Sequence, residues 1–142
     1  MWTRTYSKTF KNINKETIWN LWTDINNWPQ WHDDLEYCKL KGKFKAGNYF
    51  WLKPKTMGAV KIMITDVQPY KSFTDCTVFW GAKMYDTHSI EETTDGIKLT
   101  NTIKVSGILS WIWIKLVAQY VADSTPDEIE ALTTLARKQN EN

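Results

Sequence analysis

The feature that most constrains this chain is the segment from Gly47 to Gly107, where strand-like stretches follow one another with turn residues between them. Tyr49 to Pro54, Ala59 to Val67, Ser72 to Trp80, Lys83 to Glu92 and Ile97 to Val105 each read as a strand, and Val60, Ile62 and Ile64 of the second share one face. Pro69-Tyr70, Gly81-Ala82 and Thr94-Asp95-Gly96 separate the last four and carry turn chemistry. Strands joined this closely pair with their neighbours and run antiparallel.

The flanks complete the pattern. Trp2 to Lys11 alternates, with Trp2, Tyr6 and Phe10 on one parity, and predicts a first strand. Asn14 is a good N-cap for a short helix over Thr17 to Trp22, with Ile18, Trp19, Leu21 and Trp22 at helical spacing. Asn26-Asn27 breaks it, and Pro29 sits near the first position of a second short helix. Leu35 to Leu40 predicts a strand, closed by the turn Lys41-Gly42-Lys43. After Gly107 the tail is helical. Ile108 to Ala122 is apolar, and Thr125-Pro126 with Glu128 reads as a capping box, which predicts a kink or break near Asp123. Strands followed by a long helix make an α+β fold in which the helix covers one face of the sheet.

A chain of 142 residues is expected to form one domain, spanning 1–142, with a core large enough to need no staples. Cys38 and Cys76 lack metal-ligand spacing and read as free thiols in a reducing, cytoplasmic setting, with a disulfide as the alternative. The first ten residues have no apolar core of a signal peptide. A net charge of +2 gives no argument for nucleic acid. The apolar run from Ile108 is short for a membrane span and carries Lys115, so peripheral contact through Trp111 and Trp113 is the stronger membrane reading. Nothing calls for a cofactor. With 9 Trp, 6 Tyr and 5 Phe, the chain has rings in excess, which fill a core or line an apolar pocket.

Four segments in this order resemble the START-like helix-grip superfamily, and most closely its polyketide cyclase/dehydrase and lipid transport (SRPBCC) group. They are Ile18-Trp19-Asn20-Leu21-Trp22-Thr23-Asp24 with Asn27-Trp28-Pro29-Gln30-Trp31, then Gly42-Lys43-Phe44-Lys45-Ala46-Gly47, then Glu91 to Thr100, and then Val105-Ser106-Gly107-Ile108-Leu109. The resemblance covers nearly the whole chain. It implies a curved seven-stranded antiparallel sheet wrapped on a long C-terminal helix, two short helices after the first strand, and a cavity between sheet and helix. In such a fold the tryptophans near Asn20 to Leu35 are wall and core. His32, Asp33 and Asp34 then fall in a structural or solvated turn, and no metal site is expected there because further ligands are absent nearby.

Hairpin pairing places the candidate site. A turn at Thr94-Asp95 sets Ile90 opposite Leu99, His88 opposite Asn101 and Asp86 opposite Ile103. A turn at Gly81-Ala82 sets Phe79 opposite Met84, Thr77 opposite Asp86 and Asp75 opposite His88. A turn at Pro69-Tyr70 sets Ile64 opposite Asp75 and Ile62 opposite Thr77. One face then carries Val60, Ile62, Ile64, Phe73, Phe79, Met84, Ile90, Leu99, Ile103 and Val105, with Asp75, Thr77, Asp86, His88 and Asn101 set into it. Trp113, Leu116, Val117 and Tyr120 form the helix stripe expected to face it. Five polar groups on an apolar face either satisfy one another or form the polar floor of a ligand pocket.

Three functions compete. The first is binding or transport of a small hydrophobic molecule such as a lipid, isoprenoid or aromatic polyketide. The second is a cyclase or dehydratase in which Asp75, Asp86 or His88 is the acid or base. The third is an interaction module presenting Trp111 or Trp2. The chain is read as a monomer or homodimer.

Overall fold

The computed structural model describes residues 1–140. The chain forms one seven-stranded antiparallel sheet in the order β1-β7-β6-β5-β4-β3-β2, with a short helical pair after the first strand and a long C-terminal helix. The strands are β1 (Trp2–Phe10), β2 (Leu35–Lys41), β3 (Tyr49–Pro54), β4 (Val60–Gln68), β5 (Ser72–Phe79), β6 (Ala82–Thr93) and β7 (Gly96–Ser106). Helix α1 spans Lys15–Thr23 and is followed by a 3-10 turn, Ile25–Gln30, with Pro29 inside it. The C-terminal helix comprises α2 (Ser110–Trp113), a π-helical turn (Ile114–Ala118) and α3 (Gln119–Asn140).

Asn14 caps α1 as its sequence position suggests: its side-chain oxygen accepts from the Thr17 backbone N–H at 2.8 Å. The buried face of α1 is Ile18, Trp19, Leu21 and Trp22. Those rings press edge-on against the sheet, Trp22 on Phe73 at 5.5 Å between centroids. Trp28 meets Phe50 at 5.2 Å and donates its indole N–H to the Trp22 carbonyl at 3.0 Å. The rings are buried, so they are core and wall rather than an exposed sugar platform. A second apolar cluster, built on Met84, Ile103, Val105, Ala118 and Ala122, joins β6 and β7 to the C-terminal helix.

The register of β6 against β7 is the expected one, with Ile90 opposite Leu99, His88 opposite Asn101 and Asp86 opposite Ile103. Between β5 and β6 it differs by two residues: Phe73 faces His88, Asp75 faces Asp86 and Thr77 faces Met84. The turn is Trp80-Gly81, with Gly81 at φ +76°, not Gly81-Ala82, and Ala82 pairs with Phe79. Because the slip is even, every side chain keeps its expected face. In the β4–β5 hairpin two departures cancel. The connection holds three residues between Gln68 and Ser72, and a bulge at Thr65 removes the offset, so Ile64 still faces Asp75 and Ile62 faces Thr77.

The expected break near Asp123 is not there; α3 runs through Pro126 without interruption. Thr125 does not cap a new helix. Its hydroxyl donates back to the Val121 carbonyl at 3.0 Å, and Ser124 does the same to Tyr120 at 2.8 Å. Both are back-bonds of the kind Ser and Thr make inside a helix, not the forward bond of an N-cap. The irregularity lies earlier, in the π-helical turn. The expected helix stripe is also revised: Leu116 and Tyr120 are exposed, and the residues buried against the sheet layer are Ala118, Ala122, Ile129, Leu132 and Ala136. Trp80, Ile108 and Trp111 stand exposed where the β5–β6 turn meets the start of α2. Trp2 is half-buried against the second cluster. Cys38 and Cys76 are both free and buried. Among the described residues, no helix is long and apolar enough to cross a membrane.

Candidate functional site

A cavity of about 310 Å³ lies between the sheet, the helical pair and the C-terminal helix. Trp22, Trp28 and Trp31 form one wall, and Ile62, Phe73, Phe79 and Met84 the sheet wall. Val117, Val121, Ile129 and Leu132 come from the helix. Met57, Leu116 and Tyr120 also line it yet are largely exposed, so they mark its mouth.

Asp75, Thr77, Asp86, His88 and Asn101 all reach this cavity. Of the apolar residues expected with them, Val60, Ile62, Phe73, Phe79, Met84 and Val117 line it. Six others are placed differently. Ile64, Ile90 and Leu99 are sealed in the main core beside the helical pair, and Ile103 and Val105 belong to the second cluster. Trp113 stacks on Phe79 at 4.5 Å and donates to the Trp80 carbonyl at 2.8 Å, which holds it behind the cavity wall. Tyr49 and Trp51 do not line the cavity; Leu52 and Pro54 of the same strand do.

His88 is the centre of the polar floor. Phe73 stacks on its ring at 4.3 Å and 17°, a geometry that fixes the imidazole plane. Its Nε2 lies 3.6 Å from Asp75 Oδ2 and 3.6 Å from Asp86 Oδ1, close enough for ion pairing but long for a hydrogen bond. The Asn101 amide nitrogen lies 2.9 Å from Nδ1. A neutral ring accepts from that amide; a protonated ring requires the amide turned so that its oxygen accepts. Burial alone disfavours the imidazolium, but the carboxyl groups of Asp86 and Asp75 outweigh it and raise His88 to about 9. Burial raises Asp86 to about 7, against the opposing pull of His88. Asp86 Oδ1, His88 Nε2 and Asn101 Oδ1 are buried and lack hydrogen-bond partners. Unpaired buried polar atoms are costly, so a cavity that carries three of them is suited to a ligand that supplies the missing bonds.

A second polar group sits in the same cavity. His32 is packed against Trp31 at 4.2 Å and Trp28 at 5.7 Å, so it is not in a solvated turn. Its Nδ1 is 3.3 Å from Glu128 Oε1 and 4.0 Å from Asp34 Oδ1. Tyr120 donates to Asp34 Oδ2 at 3.1 Å. His32, Asp34 and Glu128 offer ligand atoms within 4.8 Å of one another, the one group of this kind among the described residues. Glu128 comes from α3, far down the chain, and no local spacing announces it. Asp33 alone fits the solvated-turn expectation, being exposed.

No protein-family model and no curated protein matches the sequence. Solved structures do match the fold. The di-domain aromatase/cyclase StfQ of the steffimycin biosynthetic pathway aligns with TM-score 0.79 and 8% identity over 99% of this chain and 52% of its own, so this chain spans about half of it. A hypothetical protein of Helicobacter pylori aligns with TM-score 0.77 and 10% identity, over 95% of this chain and 88% of its own. Norcoclaurine synthase from Thalictrum flavum, in complex with dopamine and hydroxybenzaldehyde, gives TM-score 0.69 and 11% identity over 94% and 86%. The sheet order, the helical pair and the long C-terminal helix together give this chain the helix-grip fold.

Proposed function

We propose that this helix-grip domain binds a small, largely hydrophobic molecule in the cavity between the sheet and the C-terminal helix, and acts as a carrier or sensor in a reducing, cytoplasmic setting. The observation that carries the reading is the pairing of aromatic and aliphatic walls with three buried polar atoms that lack partners. Ring-lined walls favour a ligand with an aromatic or polycyclic body, and His88 and Asn101 orient its polar end. Two proteins of the same fold support the reading, since their names concern aromatase/cyclase chemistry and a complex with small aromatic compounds.

The test is native mass spectrometry of freshly purified protein, with identification of what denaturation releases. A hydrophobic compound at near-unit stoichiometry is the expected result. An apo mass throughout, together with no binding across a panel of aromatic and aliphatic probes, counts against it.

A second reading is an acid-base enzyme of the cyclase or dehydratase type. It draws on Asp86, raised to about 7, because a carboxyl group that titrates near neutrality both gives and takes a proton. Conversion of a bound compound by the wild type but not by Asp86→Asn, with binding retained, supports turnover over carriage.

A further inference from the structure

The chain as a whole is slightly basic, with 18 Lys and Arg against 16 Asp and Glu. Its cavity is the reverse. Four carboxyl groups, Asp34, Asp75, Asp86 and Glu128, line it with two imidazoles, and no lysine or arginine does. Building on the ligand-binding reading, we propose that the natural ligand is a cation: an amine on an aromatic or other apolar body, rather than a fatty acid or another anionic lipid.

The two imidazoles are already committed to the acids around them. His88 stands 3.6 Å from both Asp75 and Asp86, and His32 stands 3.3 Å from Glu128. A carboxylate or phosphate entering the cavity meets four acids and no free cationic side chain, and burying an unpaired anion there is costly. An ammonium group meets the opposite situation. It brings up to three N–H donors. One of the unpartnered atoms, Asp86 Oδ1, is an acceptor, and the carboxyl groups of Asp75, Asp34 and Glu128 line the same cavity. Trp22, Trp28 and Trp31 line the same cavity, and an indole within reach of the ammonium adds cation–π attraction. The acids are spread along the cavity, Glu128 and Asp34 with His32, Asp75 and Asp86 with His88. The amine therefore has a carboxyl partner wherever along the apolar walls the body of the ligand comes to rest.

Three probes on one ring separate charge from cavity filling: 1-naphthylmethylamine, 1-naphthalenemethanol and 1-naphthoate. They are titrated by calorimetry at pH 7, with a chelator present to exclude metal ions. The amine is expected to bind about tenfold or more tighter than the alcohol, and the naphthoate more weakly than either. Glu128→Gln and Asp86→Asn are expected to weaken the amine more than the alcohol, so that the ratio of their affinities falls. If the alcohol binds and the amine is no better, or if naphthoate binds as well as the amine, the charge assignment is wrong while the ligand-binding reading stands. If none of the three binds, the charge assignment falls, and the ligand-binding reading falls with it only where the released-ligand measurement and the wider probe panel are negative as well.

Discussion

His88 and Asn101 face each other directly across β6 and β7, with the Asn101 amide nitrogen 2.9 Å from the ring's Nδ1. It is shorter than the 3.6 Å that separates Nε2 from either Asp75 or Asp86. Asn101→Leu keeps the volume near that of the amide and removes the partner. It is expected to cost about 1–3 kcal/mol, the penalty for an unsatisfied buried group. Urea unfolding of the pair checks this. Equal midpoints would mean that His88 is held by Phe73 and the acids alone.

The same floor sets a pH dependence. Asp86 binds its proton more tightly folded than unfolded, from 3.8 to about 7, because burial penalises its charge. His88 is likewise raised, from 6.5 to about 9; burial opposes this and the neighbouring carboxyl groups prevail. In both cases the folded state holds more protons than the unfolded one, so stability falls as pH rises. For Asp86 the loss runs from about 4 to about 7, and for His88 from about 6.5 to about 9. Denaturation midpoints measured from pH 4 to pH 9 should decline across that range. Asp86→Asn should flatten the acid half and, by removing the main group that raises His88, narrow the alkaline half. A wild-type profile that rises with pH would falsify the account of the floor.

Two glycines separate backbone strain from open space. Gly107 has φ +119°, and a Cβ there would lie 2.5 Å from the Gly81 carbonyl oxygen. Gly107→Ala is expected to destabilise by several kcal/mol, since it adds a clash with backbone to an unfavourable conformation. Gly58 has an ordinary φ and nothing within 4 Å of the added carbon. Gly58→Ala is expected to be neutral or to stabilise by about 0.4–1 kcal/mol, through the unfolded chain. Thermal melts of the two variants check the contrast.

Neither cysteine should react readily while the protein is folded. Cys38 is pushed up to about 12, chiefly by burial, and burial also raises Cys76, opposed by its Tyr85 contact and Lys83. Ellman's reagent at pH 8 is expected to find both thiols only after denaturant is added. Fast labelling of one thiol in native buffer would show that its strand opens locally.

Much of the sheet was legible because hairpins carry their own arithmetic. Thr94-Asp95 fixed the partners of Ile90, His88 and Asp86 to the residue. The Gly81 turn was placed one position late, yet the resulting error of two residues left Asp75, Thr77 and Asp86 on their face, since side chains repeat every second residue. Parity along a strand could not say which apolar residues meet empty space. Ile64 and Leu99 have the right face and lie under the tryptophans instead. Pro126 read as a helix start because proline favours that position; packing of Ile129 and Leu132 on one continuous helix overrode it. The meeting of His32 with Glu128 was invisible, because it depends on where a distant helix crosses the helical pair.

The strand order has a further consequence. β1 is the first strand made, and its only strand partner in the sheet is β7, the last. Its charged side chains, Arg4 and Lys8, reach Asp123 and Glu130 on α3, which is made later still. During synthesis β1 must therefore wait, without its sheet partner, until β7 has been made. The hairpins from β3 to β7 can form as they emerge, but the sheet cannot acquire its β1 edge until β7 follows, nor β1 its ion pairs until α3 does. Such long-range closure makes for slow final assembly, and the waiting Trp2–Phe10 segment is the part of the nascent chain most in need of protection.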